Sequence, residues 1–571
     1  MASRVKLNTT TSNLTSPSAS ETRPETWRGW LWLMVLFGTV VGAVLRGLTL
    51  AQRSLWSDEF TTLITLRRTL SDSLSNMQDP QPPLYQFILR LFVSSEHPSE
   101  WMLRLPAFVA GVLLIPVAYW FARTVLDGRN SQAQRLAMGV MFLVMLNPTL
   151  GHYAQEARPY SLFALVTLLA LTFFWRLVND GGLFNVVGFA IFTAAMFWSH
   201  YYAMFYLAGM IVFAVLEGWY SRNHPRNHPR NHPRSPRRNA VGFFPRPRDR
   251  AVLLVLGVVL ALLASYVPLA MFVNLIRQGM PGSWWIAKPE PIQAFETLGD
   301  FLSVQALGVL CVIPLAAAFW PRPAGFDRSP APGTGIAPEA HGVTPWASAP
   351  GVSDPVPSIK LAQVWERRRT AIFCALAVVF GLFVPVLGSI VYKPGFVPRY
   401  ALPVAIPMLV LGVMYLAKVS RLALVLMCVV LAAFSIQKLR GELAPPPETG
   451  LREVAQYLRA NTTAGQTVYV MDWEAPPAFK QDFQDHHPEI IGLQYYGLTD
   501  HPLRTLRQPP TWNRKALADY RLPADAVWVV GYGSTANSLK SYLIEQGRVF
   551  TEKTYGAERR VVHMLKLAAD K

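Results

Sequence analysis

Two adjacent carboxylates stand out for the chemistry that their position allows. Asp58 and Glu59 lie in the stretch 54–60, directly after the first long apolar segment of the chain. Carboxylates at the end of a membrane helix are costly unless they are solvated or used. Either of them can serve as a general base, which takes the proton of an attacking hydroxyl group. The alternative is structural, because Ser57 or Asp58 can cap a helix that starts at Glu59.

Further charged and aromatic side chains occur in short polar stretches between apolar segments. The charged ones are Arg104, Glu156, Arg158, Lys393 and Arg399. The others are Tyr160, His200 and Tyr201. Each alone is also typical of an interfacial anchor or of core packing. Together, carboxylates and guanidinium groups suit a reaction with a phosphate leaving group, because a base activates the acceptor and cations stabilise the departing anion.

The composition predicts a membrane protein as the framework for these residues. Of the 571 residues, 51% are hydrophobic and 15% are charged, and the mean hydropathy is +0.24. These values exclude a disordered or coiled-coil protein and disfavour a soluble one. In such a chain, a net charge of +18 indicates basic cytoplasmic loops rather than nucleic-acid binding. The three cysteines lie in apolar runs, which argues against disulfides and against a cysteine-based zinc site.

About eleven apolar segments approach the ~20 residues that cross a bilayer. They are 30–50, 105–122, 136–150, 161–177, 184–199, 203–219, 251–273, 301–320, 371–391, 401–417 and 422–436. A shorter apolar run, 83–93, contains Arg90 and is interpreted as an interfacial helix. The predicted fold class is therefore an α-helical polytopic membrane protein.

Basic residues in the connecting loops predict its orientation. They concentrate after the second and sixth segments, before the ninth, and between the tenth and eleventh. With eleven segments, all of these loops lie on the side of the N-terminus. By the positive-inside rule this side is the cytoplasm. We therefore expect a multi-pass protein of the plasma or inner membrane with a cytoplasmic N-terminus, an extracytoplasmic C-terminus and all site candidates on the outer face.

Two polar segments interrupt the predicted membrane domain, 30–437. Residues 220–250 repeat Arg-Asn-His-Pro three times, and residues 321–369 are rich in Pro, Gly, Ala and Ser. Both compositions favour solvated cytoplasmic linkers. Residues 1–29 are similarly interpreted as a disordered cytoplasmic tail.

From residue 445 to 571 the sequence changes to a soluble pattern. Residues 451–461 have apolar positions at helical spacing, which predicts an amphipathic helix. Short apolar runs bounded by turn residues predict strands at 467–471, 526–531 and 560–565. This part is expected to form a small extracytoplasmic α/β domain.

Four motifs in order carry a resemblance to a known family. They are Asp58-Glu59, Gln81-Pro82-Pro83-Leu84-Tyr85, Arg104-Leu105-Pro106 and Tyr153-Ala154-Gln155-Glu156-Ala157-Arg158-Pro159-Tyr160. Together they resemble the family 39-type glycosyltransferases of the GT-C superfamily, which include protein O-mannosyltransferases and the transferases that add aminoarabinose to lipid A. The resemblance covers residues 30–202, and the rest of the chain by layout. Gln81 departs from the pattern, because many relatives have histidine before Pro-Pro-Leu, and a role of that histidine is not carried over.

The resemblance implies a membrane glycosyltransferase with a polyprenyl-phosphate-linked sugar as donor. The acceptor would be a hydroxyl group of a protein, a lipid or an envelope glycan, and transfer would invert the anomeric carbon at the extracytoplasmic face. Asp58 is the predicted general base, with Glu59 as the second catalytic residue. No nucleotide-binding motif is present in the sequence, and none would be needed.

The remaining candidates are assigned to the donor phosphate and to the substrates. Arg158 and Arg399 are predicted to bind the phosphate, supported by Arg104 and Lys393. The predicted substrate-binding residues are Glu156, Tyr160, His200 and Tyr201. No cofactor is predicted. A divalent cation between Asp58 and Glu156 would have suitable oxygen ligands, but the arginines make it unnecessary.

Three other functions are compatible with parts of this pattern. A transporter or flippase of lipid-linked sugars would have internal repeats and charges near the middle of the membrane, and the sequence shows neither. A ligase or polymerase of lipid-linked glycans would have a large late outer loop rich in Arg and His. A non-catalytic scaffold for the C-terminal domain would tolerate Asp58→Asn.

Overall fold

A computed structural model describes the protein over residues 26–67, 69, 81–93, 98–126, 131–223, 247–277, 286, 288–302, 357–443, 450–471, 487–506, 522–523, 526–555 and 562–568. Most of the predicted N-terminal tail lies outside these residues. So do most of the basic linker and most of the predicted eighth segment with the linker that follows it. The predictions for these parts stay predictions.

The membrane part is built from helices. In chain order they are α1 (Thr26–Gly47), α2 (Ser57–Arg67), α3 (Leu84–Arg90), α4 (Glu100–Val125), α5 (Ser131–Leu146), α6 (Pro148–Tyr153), α7 (Tyr160–Asp180), α8 (Leu183–Ser199), α9 (Ala203–Asn223), α10 (Pro247–Ala264), α11 (Tyr266–Arg277), α12 (Gln293–Phe301), α13 (Pro357–Val378), α14 (Val384–Val391), α15 (Ala405–Val419) and α16 (Arg421–Leu443). A π-helical turn, Val379–Phe383, joins α13 to α14, and a 3₁₀ segment, Pro398–Val404, precedes α15.

Length and apolar composition identify the helices able to cross a membrane. Within the described residues seven helical stretches meet this test, and the pair α10 and α11 forms an eighth if it is one bent span. The helices α5 and α8 are also apolar but shorter. The seven stretches, the bent pair and these two shorter helices together coincide with ten of the eleven predicted segments. The eleventh, 301–320, lies almost wholly outside the described residues. The predicted fold class is confirmed, whereas the count of eleven is not.

The bend between α10 and α11 has a local cause. The two helices meet at 63°. Pro268 has no N–H group with which to bond the carbonyl of Ala264, so the helical hydrogen-bond ladder is interrupted. The indole Nε1 of Trp198 donates to that carbonyl at 2.8 Å instead. The break therefore leaves the Ala264 carbonyl paired, as an apolar environment requires.

The end of α5 is held by a buried arginine from α1. Arg46 is 2% exposed, and its guanidinium donates to the carbonyls of Val144 and Met145 at 3.0 and 3.1 Å. These carbonyls belong to the last turn of α5, which has no helical donors left for them. Asn147 then caps α6 by accepting from the N–H of Leu150 at 2.9 Å. The turn between α5 and α6 is thus pinned from both sides.

The C-terminal part contains a mixed sheet and three helices in the described residues. These elements are α17 (Leu451–Asn461), β1 (Val468–Met471), α18 (Pro488–Tyr495), β2 (Leu503–Leu506), β3 (Trp528–Tyr532), α19 (Gly533–Glu545), β4 (Phe550–Tyr555) and β5 (Val562–Leu567). The strand order is β2-β1-β3-β5-β4, with β1 parallel to β2 and β3, and β5 antiparallel to β3 and β4. The predicted helix and the three predicted strands are all present, each strand within two residues of its expected ends.

The central strand β1 is buried on both faces, whereas the edge strands β2 and β4 are partly exposed. Val468 and Val470 face the core that also contains α17 and the membrane helices, whereas Tyr469 and Met471 face a second core with α19. Successive side chains of a strand point to opposite faces, so continuous apolar runs are expected where both faces are covered. The C-terminal domain consequently shares one hydrophobic core with the membrane part.

Candidate active site at one end of the helices

The predicted site residues lie at one end of the helices because the chain reverses direction at each loop. Asp58 and Glu59 stand in the first turn of α2, and Arg104 in the first turns of α4. Arg158 and Tyr160 lead into α7, and His200 follows the end of α8. Arg399 is the second residue of the 3₁₀ segment before α15. Five segments separated by up to 341 residues in sequence thus meet in one cluster.

Glu59 forms a buried two-bond ion pair with Arg104. Its Oε1 and Oε2 atoms accept from Nε and Nη2 of Arg104, each at 2.8 Å. The same carboxylate also accepts from the N–H of Ala157 at 2.7 Å and of Trp56 at 3.3 Å. Glu59 is 1% exposed. Because a carboxylate offers about four acceptor positions, this one is filled by the protein itself.

Arg104 is similarly saturated by the loop between α1 and α2. Its Nη1 donates to the carbonyls of Leu50 and Arg53 at 2.8 and 2.9 Å, and its Nη2 to that of Ser54 at 3.3 Å. With the two bonds to Glu59, all five N–H groups of the guanidinium have protein partners. The pair therefore fastens residues 50–59 to α4.

Asp58 has a more open environment than its neighbour. Its Oδ2 accepts from Nη2 of Arg399 at 3.0 Å, and the two side chains are 26% and 18% exposed. Asp58 is thus the carboxylate of the adjacent pair that solvent reaches. The Asp58–Arg399 pair offers both a base and a cation to a molecule arriving from outside.

Arg399 lies among three aromatic rings. Its guanidinium carbon is 5.7 Å from the ring centre of Trp56, 5.4 Å from Tyr160 and 5.8 Å from Tyr400. A planar guanidinium is attracted by such ring faces, and this attraction limits its orientations. The rings therefore support the cation at the position where it meets Asp58.

Arg158 lies beneath the same carboxylate. It is 4% exposed, and its Nη1 donates to the backbone carbonyl of Asp58 at 3.2 Å and to the hydroxyl of Thr62 at 3.3 Å. The Thr62 hydroxyl in turn donates to the carbonyl of Ala157 at 2.9 Å. Two cations predicted to bind phosphate, Arg158 and Arg399, thus both contact the residue predicted as the base.

His200 is a neutral member of the aromatic cluster. Its Nδ1 accepts from the N–H of Tyr202 at 3.1 Å, so the proton of the neutral ring is on Nε2. Burial, with the charges of Arg158 and Arg399, lowers the pKa of His200 to about 3. Its ring centre is 4.4 Å from that of Tyr400 and 5.1 Å from that of Phe163. His200 therefore supplies a hydrogen-bond donor without a positive charge.

The other predicted residues are less central. Glu156 is buried and pairs with Nε2 of His152 at 3.2 Å, one helical turn earlier. Tyr201 is buried with its ring against Phe272 of α11, at 5.0 Å. Lys393 is half-buried in the segment between α14 and the 3₁₀ segment. The predictions that these three residues bind substrate or phosphate stay predictions.

The structure adds residues that the sequence did not single out. Tyr400 packs against the rings of His200 and Tyr160 in tilted arrangements, and Tyr202 donates from its hydroxyl to the carbonyl of Gly395 at 3.0 Å. Trp56 and Thr62 complete the surroundings of Arg399 and Arg158. In the sequence, these four residues are distinguished only by lying near charged motif residues. Tyr202 and Tyr400 each immediately follow a predicted site residue.

Side chains that could ligate a metal ion are not grouped together in the part of the chain that the structure describes. No group of three His, Cys, Asp or Glu side chains there is arranged to hold one. Asp58 and Glu59 instead face guanidinium groups, and Glu156 faces His152.

The chain forms a bundle of apolar helices with acidic and basic residues gathered at one end, followed by a small mixed sheet at that end. Residues 80–229 match the family described as dolichyl-phosphate-mannose-protein mannosyltransferase. The matched segment contains Arg104, Glu156, Arg158, Tyr160 and His200. The resemblance inferred from the motifs is thereby confirmed.

Solved structures extend the similarity to almost the whole chain. ArnT from Cupriavidus metallidurans, solved with undecaprenyl phosphate bound, matches with a TM-score of 0.50 at 14% identity, over 95% of this chain and 98% of that one. The oligosaccharyltransferase AglB from Archaeoglobus fulgidus, solved with an inhibitory peptide and a dolichol phosphate, gives a TM-score of 0.45 at 12% identity, over 96% of this chain and 75% of that one. No curated protein sequence matches. The likeness to ArnT shows the fold.

Proposed function

We propose that this protein is a glycosyltransferase that moves a sugar from a polyprenyl-phosphate donor to a hydroxyl acceptor at the outer face of a membrane. The observation that carries the proposal is the Asp58–Arg399 pair, a solvent-reached carboxylate 3.0 Å from a guanidinium among aromatic rings. The family match of residues 80–229 and the fold shared with ArnT, which was solved with undecaprenyl phosphate, support it.

The proposed reaction is a single displacement. Asp58 takes the proton of the acceptor hydroxyl as its oxygen attacks the anomeric carbon of the sugar. The bond between that carbon and the phosphate oxygen breaks, and both of its electrons leave with the polyprenyl phosphate. A new glycosidic bond forms with inversion, and the proton remains on Asp58 until solvent removes it.

Two arginines are proposed to stabilise the leaving phosphate. Arg399 is the first of them, because it is partly exposed and already lies beside the base. Arg158 is the second, because it contacts the backbone of Asp58 from the buried side. A guanidinium offers paired donors to two phosphate oxygens, so Arg399→Lys is not expected to restore activity that Arg399→Ala loses.

We propose a positioning role for Glu59 and Arg104. Their hydrogen bonds are satisfied within the protein, and they hold the loop that presents Asp58. Tyr160, His200 and Glu156 are proposed to line the substrate side of the site, with the Nε2–H of His200 available to a sugar oxygen. Lys393 and Tyr201 are proposed as more distant contributors at the rim.

The donor is tested first by binding. Purified protein in detergent is expected to bind undecaprenyl phosphate, measured by native mass spectrometry, and Arg399→Ala is expected to weaken this binding at least tenfold because a charged hydrogen-bond partner is lost. Turnover is expected with a polyprenyl-phosphate sugar and not with a nucleotide sugar, and to persist with a chelator. Binding of a nucleotide sugar but not of undecaprenyl phosphate would contradict the proposal.

The orientation is tested by reporter fusions. An enzyme active only outside the cytoplasm is expected to work when fused after Lys438 and to fail when inserted within 222–233. The reason is the concentration of basic residues on the side of the membrane that carries 222–233. The opposite pattern would place Asp58 on the cytoplasmic side, where nucleotide sugars are available, and would overturn the assignment of the donor.

Transport of lipid-linked sugars is not favoured as the alternative. The described site charges gather at one end of the helices rather than forming a path through them, as a translocation route would require. A ligase or polymerase of lipid-linked glycans would differ from the proposed enzyme in its acceptor. Both would use the same site for the donor phosphate.

A further inference from the structure

The loop that carries Asp58 is contacted from the C-terminal domain as well as from the membrane helices. Tyr496, at the end of α18, stands between this loop and the start of α4. Its hydroxyl oxygen accepts from the N–H of Leu55 at 2.7 Å and its proton is donated to Oε1 of Glu100 at 2.6 Å. One hydroxyl therefore links three separate segments of the chain.

Glu100, which accepts the hydrogen bond of the Tyr496 hydroxyl, has a second partner in the C-terminal domain. Glu100 is bonded by Nη2 of Arg452, in the first turn of α17. Arg452 also donates from Nη1 to the carbonyl of Gln52 at 3.2 Å. The C-terminal domain thus contacts the loop at residues 52 and 55, whereas Arg104 holds its other side.

Aromatic packing continues the contact to the site itself. Phe60, which directly follows Asp58 and Glu59, has its ring centre 6.2 Å from that of Tyr495 and 6.1 Å from that of Tyr496, both in edge-on arrangements. Gly492 approaches so closely that a Cβ there would lie 2.7 Å from the Phe60 ring. Edge-on ring pairs add to the apolar burial and restrict the position of the first turn of α2.

The Tyr496 hydroxyl keeps its proton under all ordinary conditions. Burial, with the negative charge of Glu100, raises the pKa of Tyr496 far above its usual value. The hydroxyl therefore remains both a donor to Glu100 and an acceptor for Leu55.

We propose that Tyr496 is a positioning residue through which the C-terminal domain sets the location of Asp58, and that this domain is a part of the active-site framework rather than a separate binding module. The inference rests on the proposed function of Asp58. It predicts that loss of the hydroxyl alone shifts the loop and lowers turnover, although the hydroxyl is bonded to Leu55 and Glu100 and not to Asp58.

The test compares two matched tyrosine variants. Tyr496→Phe is expected to lower kcat about ten- to a hundredfold, with KM for the donor within about twofold, because misplacement of the base affects chemistry more than binding. Tyr457→Phe is the control, because Tyr457 packs against Trp528 and Tyr555 within the C-terminal domain. It is expected to leave the rate unchanged.

Hydrogen exchange measures the position of the loop without reference to activity. The peptide containing Leu55 is expected to exchange faster in Tyr496→Phe than in the wild type or in Tyr457→Phe, because its amide loses its acceptor. Unchanged exchange or an unchanged kcat would overturn the inference. If Tyr496→Phe does not fold, Glu100→Gln weakens the bond that anchors the Tyr496 hydroxyl to α4, and a kcat equal to that of Tyr457→Phe would then overturn the inference.

Combination with the base variant separates this inference from the proposed function. If Tyr496 acts through Asp58, adding Tyr496→Phe to Asp58→Asn lowers the residual rate by less than about twofold. Full additivity would mean that Tyr496 acts on something other than Asp58. If Asp58→Asn alone keeps a normal rate, the proposed base is wrong, and faster exchange at Leu55 would then report a structural link without a catalytic consequence.

Discussion

Replacing Asp58 with asparagine is expected to lower kcat about a hundred- to ten-thousandfold, which corresponds to roughly 3–5 kcal/mol of activation free energy. Asparagine keeps the shape of the side chain and a bond to Arg399 but does not accept a proton. Folding and the binding of undecaprenyl phosphate are expected to change little, because Asp58 is partly exposed and lies on the acceptor side of the proposed site. Transfer assays together with lipid binding measure the two effects separately.

A matched control is available in the C-terminal domain. Asp500 is exposed and lies in a turn away from the cluster, so Asp500→Asn makes the same chemical change without touching the site. It is expected to keep the wild-type rate. A well-folded Asp58→Asn enzyme with a near-normal rate would remove the main support for the catalytic proposal, and the outer carboxylates would then be structural.

The second large effect concerns stability and falls on Glu59. Glu59→Gln leaves the buried guanidinium of Arg104 without a counter-charge, and breaking such a pair typically costs about 3–5 kcal/mol. We expect a marked loss of thermal stability in detergent, with activity lost in proportion to the folded fraction. Removing both charges, in Glu59→Gln with Arg104→Met, is expected to restore part of the stability because no buried charge then remains unpaired.

An exposed ion pair provides the comparison. Lys540 and Glu552 are 20% and 27% exposed and lie 2.9 Å apart in the C-terminal domain. Lys540→Met is expected to cost at most about 1 kcal/mol, as loss of a solvent-accessible pair usually does, because Glu552 keeps its bond to His563. If Glu59→Gln instead folds with wild-type stability and is inactive, Glu59 is the catalytic carboxylate, and the two neighbours exchange their proposed roles.

The gathering of the site at one end of the helices follows from the sequence. Apolar segments of membrane-spanning length are recognisable by composition alone, and each crossing reverses the chain. Alternate loops must therefore share a face, which is why the order of the segments is enough to bring Asp58, Arg158 and Arg399 together. Three strands of the C-terminal domain, β1, β3 and β5, are predictable for a similar reason, because they are short apolar runs between turn residues. The edge strands β2 and β4 are not apolar runs and leave no such signal.

The different environments of Asp58 and Glu59 within the cluster are not predictable in the same way. Asp58 and Glu59 are adjacent and chemically alike, and their difference arises from the approach of Arg104, 45 residues away, to only one of them. The first turn of α2 directs Glu59 inward, where it reaches back to the N–H of Trp56 as in a capping box. The sequence suggests a cap as well, but by Ser57 or Asp58. Tyr400 and Tyr496 owe their places to long-range contacts of the same kind, which leave no local sequence signal.

The bend between α10 and α11 determines how this part of the protein meets the lipid. The apolar part of α10, residues 251–264, is about 21 Å long, so α10 by itself falls short of the ~30 Å hydrocarbon thickness. The 12 residues of α11 measure about 18 Å, but at 63° they add only about 8 Å of depth along the axis of α10. Tyr266, Val273 and Ile276 of α11 are exposed, and the two helices together are long enough for one bent crossing whose second part presents apolar side chains at a steep angle to the first.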